Sequence, residues 1–279
     1  MKESNITRRK FLDKITRISI CSIFGYPVVI EPNWLVLEKV DVSIPGLPQK
    51  LDGLRIGLLA DFHRGIYITE SDIKAAISLL QKQRPDLILL GGDFVEGKAD
   101  YIQSCAPLLS KLDAPLGTYA VLGNHDYWTD SMVVSSGLKK FHIKVLKNES
   151  VKLQWNGNKF FLVGLDCAFG GRPNLRKAIK DIPDDAMKIL LVHEPDYADK
   201  IKNVPVWLPL QLSGHSHGGQ VIIPFFGPPY LPYMGKKYPM GLQRISGTNR
   251  WVYTTRGIGN VIPVRFNCRP EVTLLTLRQ

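Results

Sequence analysis

The chain has 279 residues, 44% hydrophobic and 22% charged, with a net charge of +11. That balance argues against a disordered or low-complexity chain and supplies ample material for one large core. Four scattered cysteines, with no Cys-x-x-Cys pair, argue against a disulfide framework or a thiolate metal site.

The positive charge is spread unevenly. Residues 1–20 hold six Lys/Arg against two acids, which leaves 30 against 23 for the remainder. A basic body suits a phosphate-bearing partner, whether nucleic acid, nucleotide or anionic membrane. The sequence has neither an Arg-rich run nor an aromatic-interleaved strand of the RNA-binding type, so no nucleic acid is expected.

The chain opens on Thr7-Arg8-Arg9-Lys10-Phe11-Leu12, followed by a mostly apolar run over residues 18–30. This resembles a twin-arginine export signal. The run is too short to span a bilayer as a helix, carries Pro27 and lacks a clear small-x-small cleavage site. Residues 1–30 are therefore set apart as a signal-like or membrane-anchor segment. Attachment to the surface of anionic lipid is the leading expectation, ahead of export and of an ordinary helix. Residues 31–279 are expected to form a single domain.

Apolar and polar residues alternate over residues 34–44 and predict an edge strand, before Pro45, Gly46 and Pro48 turn the chain. Residues 54–60 read as a buried strand running into Asp61-Phe62-His63. Ile73, Ala76, Ile77 and Leu80 fall at helical spacing and predict a helix over residues 71–82. A strand over residues 86–90 ends in Gly91-Gly92-Asp93. A helix over residues 102–112 leads to a third strand, residues 119–122, ending in Gly123-Asn124-His125-Asp126. Such strand–helix alternation favours parallel pairing with right-handed crossovers. After a helix over residues 131–141, strands over residues 160–164, 188–192 and 210–213 run into Asp166, His193-Glu194-Pro195 and Gly214-His215-Ser216-His217. Short strands over residues 221–223, 252–254 and 272–277 follow. The expected fold class is α/β: a four-layer α/β/β/α sandwich of two mixed sheets flanked by helices, with the chemistry at the strand C-terminal ends.

Five of the six histidines, His63, His125, His193, His215 and His217, directly follow predicted strands, as do Asp61 and Asp93. One such residue could be a turn or cap; the whole set points to a site. Carboxylate oxygens and neutral imidazoles together suit Mn, Fe or Zn, whereas Ca or Mg prefers all-oxygen shells. Asn124 offers a further neutral oxygen, and His125 a proton carrier near neutral pH. Asp-x-His and His-x-His place donors two residues apart, able to point the same way from an extended segment. The set exceeds what one tetrahedral ion requires and suffices for two ions about 3.5–4 Å apart, an arrangement suited to in-line attack on phosphorus.

Asp61-x-His63, Gly91-Gly92-Asp93, Gly123-Asn124-His125-Asp126, His193 and Gly214-His215-x-His217, in this order, resemble the full signature of the calcineurin-like metallophosphoesterases. The resemblance implies that Asp61, His63 and His217 would hold one divalent ion, and Asn124, His193 and His215 another, with Asp93 bridging them. His125 would donate a proton to the leaving group or stabilise the transition state. Asp126, by adjacency, would orient His125. Outside these motifs, Arg8-Arg9-Lys10-Phe11-Leu12, Glu31-Pro32-x-Trp34, Gly218-Gly219-Gln220-Val221, Thr255-Arg256-Gly257-Ile258-Gly259 and Asn267-Cys268-Arg269-Pro270-Glu271-Val272 are similar to one bacterial branch. That branch contains phosphodiesterases with a twin-arginine-like N-terminus and UDP-2,3-diacylglucosamine pyrophosphatases, and the resemblance does not separate the two.

Residues 224–235 form an apolar, aromatic, Pro-stiffened loop followed by Lys236 and Lys237. They are expected either to pack on the core or to form a lip that accepts acyl chains, with the lysines for phosphate. Arg256 and Asn260 are further candidate phosphate contacts. The expected partners are a lipid-linked or nucleotide-sugar phosphoester and a membrane surface, met by a monomer. The expected location is the cytoplasmic face of the inner membrane, with twin-arginine export as the alternative.

Overall fold

The computed structural model describes residues 25–279; the basic start of the N-terminal segment lies outside them. Among the described residues, twelve strands make two six-stranded mixed sheets. In the first, β1 (Val36–Ser43) stands at the edge, followed by β12 (Glu271–Arg278), β2 (Arg55–Leu59), β3 (Leu87–Leu90), β4 (Thr118–Ala120) and β5 (Lys144–Val145). The second runs β10 (Gly241–Arg244), β11 (Trp251–Thr254), β9 (Leu210–Ser213), β8 (Lys188–Leu191), β7 (Asn158–Gly164) and β6 (Glu149–Trp155).

The strands carrying the motifs are apolar on both faces because both faces are covered. Ile56 and Leu58 of β2, with Leu87 and Leu89 of β3, meet Ile189, Leu191, Leu210 and Leu212 of the other sheet in a central core. The alternate residues Leu59, Ile88 and Leu90 face outward onto helices. There α1 (Glu70–Gln81) buries Ile73, Ala76, Ile77 and Leu80, while α2 (Ile102–Leu109) and α4 (Ser131–Lys140) complete the layer. The short α3 (Asn124–Thr129) begins inside the Gly123–Asp126 motif. On the far face, Val163, Leu190 and Val192 pack against Leu175 and Ala178 of α5 (Leu175–Ile179) and Ile201 of α6 (Ala198–Ile201). The result is the four-layer α/β/β/α sandwich.

Within the first sheet β2, β3 and β4 are mutually parallel, and within the second β7, β8 and β9 are. Their C-terminal ends therefore gather the motifs at one rim. The strand expected over residues 221–223 is not one. Val221 and Ile223 make only isolated bridges, to Phe266 and Gly227, because the Pro-rich stretch that follows cannot sustain a ladder.

Candidate metal centre

At the rim the backbone departs from ordinary geometry. Asp61, His63, Asp93, His215 and His217 all have positive φ, from 44° to 74°. Residues with a Cβ rarely adopt this region, and each instance costs about 1–3 kcal/mol unless the surroundings enforce it. Strain so concentrated turns each side chain sharply off its strand toward one point. The packing there leaves no space for larger residues. A Cβ on Gly92 would stand 2.6 Å from the Gly123 nitrogen, and one on Gly123 would stand 2.1 Å from Asp93 Oδ1.

Asp61, His63 and His217 converge, as do Asp93, His193 and His215, each set presenting donor atoms within 4.8 Å of one another. Asp93 Oδ2 lies 3.1 Å from His193 Nε2 and 3.6 Å from His63 Nε2, between the two sets. The His63 and His217 Nε2 atoms face each other at 3.0 Å. His193 Nδ1 donates to the Gly91 carbonyl at 2.7 Å, which leaves Nε2 as the donor lone pair. His215 Nε2 donates to the Tyr233 carbonyl at 2.7 Å, which leaves Nδ1 for the same purpose. Such outer hydrogen bonds fix the tautomer of metal-binding imidazoles. Asp61 Oδ2, Asn124 Oδ1, His193 Nε2 and His217 Nδ1 are buried without hydrogen-bond partners. Four such atoms around one site would be costly, and divalent ions there would satisfy Asn124 Oδ1 and His193 Nε2, while Asp61 and His217 turn Oδ1 and Nε2 toward each other at 4.0 Å. The donor set fits the group.

Charge interactions follow the same geometry. Burial raises Asp61 to about 6, with the neighbouring Asp93 charge adding to it and His193 opposing. Burial also works against ionised Asp93, but His193 overcomes it and holds Asp93 well below its ordinary value. Burial and nearby His63 keep His217 neutral far below the usual range. Since Asp61 holds its proton below about 6 and His193 holds one well above the ordinary range, a metal ion must displace protons to bind in acid. Mn²⁺ affinity is therefore expected to fall at least about tenfold between pH 7.5 and pH 5.5 by titration calorimetry. An unchanged affinity would contradict the proton competition.

His125 is the least buried of the five strand-end histidines. Its backbone N–H donates to Asp93 Oδ1 at 2.8 Å. Its ring is not oriented by Asp126, which corrects the expectation from adjacency. The buried Asp126 carboxylate instead accepts the backbone N–H groups of Asp93, Phe94 and Gly123 at 2.8–3.0 Å, stitching two motif turns together. The ring is held by Glu96, whose Oε2 accepts His125 Nδ1 at 2.6 Å and His63 Nδ1 at 2.8 Å. Burial disfavours the Glu96 charge, yet these two bonds more than offset it and lower Glu96 to about 2. Burial likewise opposes protonated His125, and Glu96 with Asp93 raises its pKa nonetheless. Glu96 escaped the sequence reading; its signal is an acid three residues past Asp93 in an extended segment bridged to Arg64.

The expected phosphate contacts are largely engaged elsewhere. Arg256 pairs with Glu38 and Glu271. Asn260 Oδ1 accepts from Arg265. The backbone N–H groups of Lys236 and Lys237 lie on the Asp196 carboxylate, and the Lys237 ammonium pairs with Asp199 at 2.6 Å. Arg256, Asn260 and Lys237 thus serve the scaffold. Among the described residues the Lys236 ammonium has no acidic partner. Arg265, fully buried, explains much of this loop. Its guanidinium donates to the Arg256, Gly259 and Cys268 carbonyls, and Gly257 and Gly259 in turn press on Asp61. Arg265→Ala is expected to cost about 3 kcal/mol or more in urea unfolding; a loss under about 1 kcal/mol would remove it from this role.

Comparison with known proteins agrees with this geometry. A profile of the family described as calcineurin-like phosphoesterase matches residues 54–219. Phosphodiesterase YaeI of Escherichia coli (strain K12) is 34% identical over 278 residues, covering 98% of this chain and 99% of its own. Metallophosphoesterase YkuE of Bacillus subtilis (strain 168) is 35% identical over 260 residues, covering 91% and 90%. TT1561 of Thermus thermophilus shares the fold, with a TM-score of 0.50 and 16% identity over 74% of this chain and 90% of its own. With the profile running from the start of β2 past the last histidine, and relatives aligned nearly end to end, the chain belongs to the calcineurin-like phosphoesterases, metal-dependent hydrolases with a dinuclear divalent metal centre.

Proposed function

We propose that the chain is a phosphodiesterase or pyrophosphatase whose substrate carries an apolar group, with UDP-2,3-diacylglucosamine as the leading candidate in lipid A biosynthesis. Water adds across the P–O–P bridge and gives 2,3-diacylglucosamine 1-phosphate and UMP. The observation that carries this reading is an aromatic arc along the metal rim. Trp128 lies tilted against His125 at 4.5 Å between ring centroids, Phe169 meets Trp128 at 5.4 Å, and Tyr233 meets Phe169 at 5.6 Å. All three are exposed, so they offer an apolar group a place beside the phosphorus. Phe169 is held rigidly, because the buried Glu194 carboxylate accepts the Ala168 and Phe169 N–H groups at 2.8 and 2.9 Å. The name of YaeI supports the reaction class.

Asp61, His63 and His217 would hold one ion and Asn124, His193 and His215 the other, with Asp93 between. Two ions, when bound, supply a lowered water pKa and neutralise charge on the phosphoryl oxygens. The protein's own groups do the rest: His125 gives a proton to the departing oxygen, and Glu96 holds the ring for it.

A second reading rests on residues 7–12: an exported or general phosphodiesterase of the cell envelope. Since nucleotide-sugars are cytoplasmic, fractionation placing the protein outside the inner membrane would exclude the leading substrate; recovery on its cytoplasmic face fits. The test of substrate is a panel with Mn²⁺, Zn²⁺ and Fe²⁺, comparing UDP-2,3-diacylglucosamine with an aryl phosphodiester. Strong preference for the lipid is expected. Equal, poor turnover would contradict it.

A further inference from the structure

A second exposed feature lies beyond the metal rim. Three segments distant in sequence are tied together there by hydrogen bonds: Arg265 N–H donates to the Pro27 carbonyl at 2.8 Å, Ile222 N–H to the Phe266 carbonyl at 2.8 Å, and the Gln220 side-chain amide to the Ile262 carbonyl at 2.9 Å. Together they expose Val29, Ile30, Ile223, Phe225, Phe226 and Ile262. Phe225 is fully exposed and Phe226 is 87% exposed. Their turn is closed by paired bonds between Ile223 and Gly227, at 2.8 and 3.0 Å, and Phe225 takes a φ of +70°. A bulky residue is thus held in a left-handed conformation with its ring in solvent, which nothing among the described residues rewards. At the margin, Trp34 is half-exposed with the Arg269 guanidinium 3.5 Å over its face, an aromatic–cation pairing suited to a headgroup layer.

We propose that this face docks on an anionic lipid bilayer, with Phe225 and Phe226 inserted below the headgroups. The proposal rests in part on the amphiphilic-substrate reading and names the surface that serves it. Two observations select a bilayer over a protein. The patch is continuous in sequence with the most apolar part of the N-terminal segment, residues 18–30, which follows six Lys/Arg within residues 1–20. The same loop also runs from the metal site and back to it, since it leaves at His217 and returns Tyr233 to His215 at 2.7 Å. A lipid-borne diester would therefore be met at the membrane and presented to the rim. No helix among the described residues is long and apolar enough to cross a membrane, so contact would be interfacial.

The test uses the full chain and vesicles of phosphatidylglycerol and phosphatidylethanolamine in the ratio of about 3:7, a composition chosen for anionic charge. Phe225→Ser/Phe226→Ser and, separately, Val29→Ser/Ile262→Ser are each expected to weaken co-sedimentation at least about tenfold. Val29→Ser/Ile262→Ser is expected to leave turnover of a soluble aryl phosphodiester unchanged, which also shows that it folds. Phe226→Trp is expected to gain emission that brominated lipid quenches. Binding within twofold of wild type in both double variants, or an unquenched tryptophan at 226, would overturn the proposal. So would a wild-type chain that ignores vesicles and instead forms a dimer dispersed by Phe225→Ser/Phe226→Ser. Vesicle binding without hydrolysis of the lipid-borne diester would leave the docking face standing and remove the substrate reading alone.

Discussion

His125→Ala is expected to retain both metal ions and lose about 10²- to 10⁴-fold in kcat, the range that a positioned proton donor supplies. The geometry separates the two quantities. His125 sits at the rim with Trp128 beside its ring, and although it also comes near His63 and Asp93, the two fully buried sets, Asp61-His63-His217 and Asp93-His193-His215, do not include it. Metal analysis together with turnover reads the result; near-wild-type rates at full occupancy would remove His125 from the chemistry. Glu96→Gln extends the same experiment. It keeps a side chain of similar size at His125 but removes the charge that raises the histidine pKa. An acid works only below its own pKa, so weakening that support moves the alkaline limb of the rate profile to lower pH. The loss in kcat should be smaller than for His125→Ala and should grow for poorer leaving groups.

Asp93→Ala should do something different: abolish turnover and take both ions with it. Asp93 Oδ2 is the carboxylate oxygen that comes closest to histidines of both sets, at 3.1 Å from His193 and 3.6 Å from His63, and its Oδ1 anchors the His125 backbone. Without it His63 and His193 lose the carboxylate nearest to both, and, although burial opposes the His193 charge, the largest of the charges that raise its pKa in the metal-free protein is gone. Less than half an equivalent of tightly held metal per chain is expected. Two equivalents retained at wild-type affinity would show that Asp93 does not lie between the ions.

Much of this was legible in the sequence because the relevant signals are local. A buried parallel strand reads as a short apolar run, and a polar residue placed directly after several such runs marks the common rim. That logic marked Asp61, His63, Asp93, His193, His215 and His217, which the fold gathers in two sets with donor atoms within 4.8 Å of one another, and Asn124, whose Oδ1 is buried without a partner next to His125. What it missed depends on contacts across the fold. Glu96 acts on His63 and His125 from an extended segment that carries no motif of its own. Arg265 looked like one more basic residue, and only its burial against several carbonyls reveals its role. Arg256, Asn260 and Lys237 looked free for phosphate because their partners, Glu38, Arg265 and Asp199, are remote or unremarkable in sequence. One omission was avoidable: Val151, Leu153 and Trp155 alternate with polar residues just before Asn156-Gly157, a strong two-residue hairpin signal. β6 and β7 are indeed joined there, with φ of 47° and 84° at the turn.

The most direct measurement follows turnover of an aryl phosphodiester while Mn²⁺ is added stepwise to metal-free protein and bound metal is counted in the same samples. Activity should emerge with the second equivalent and reach its plateau at two ions per chain. A plateau at one ion, with no further gain from a second, would contradict a centre in which Asp93 joins two sets of ligands.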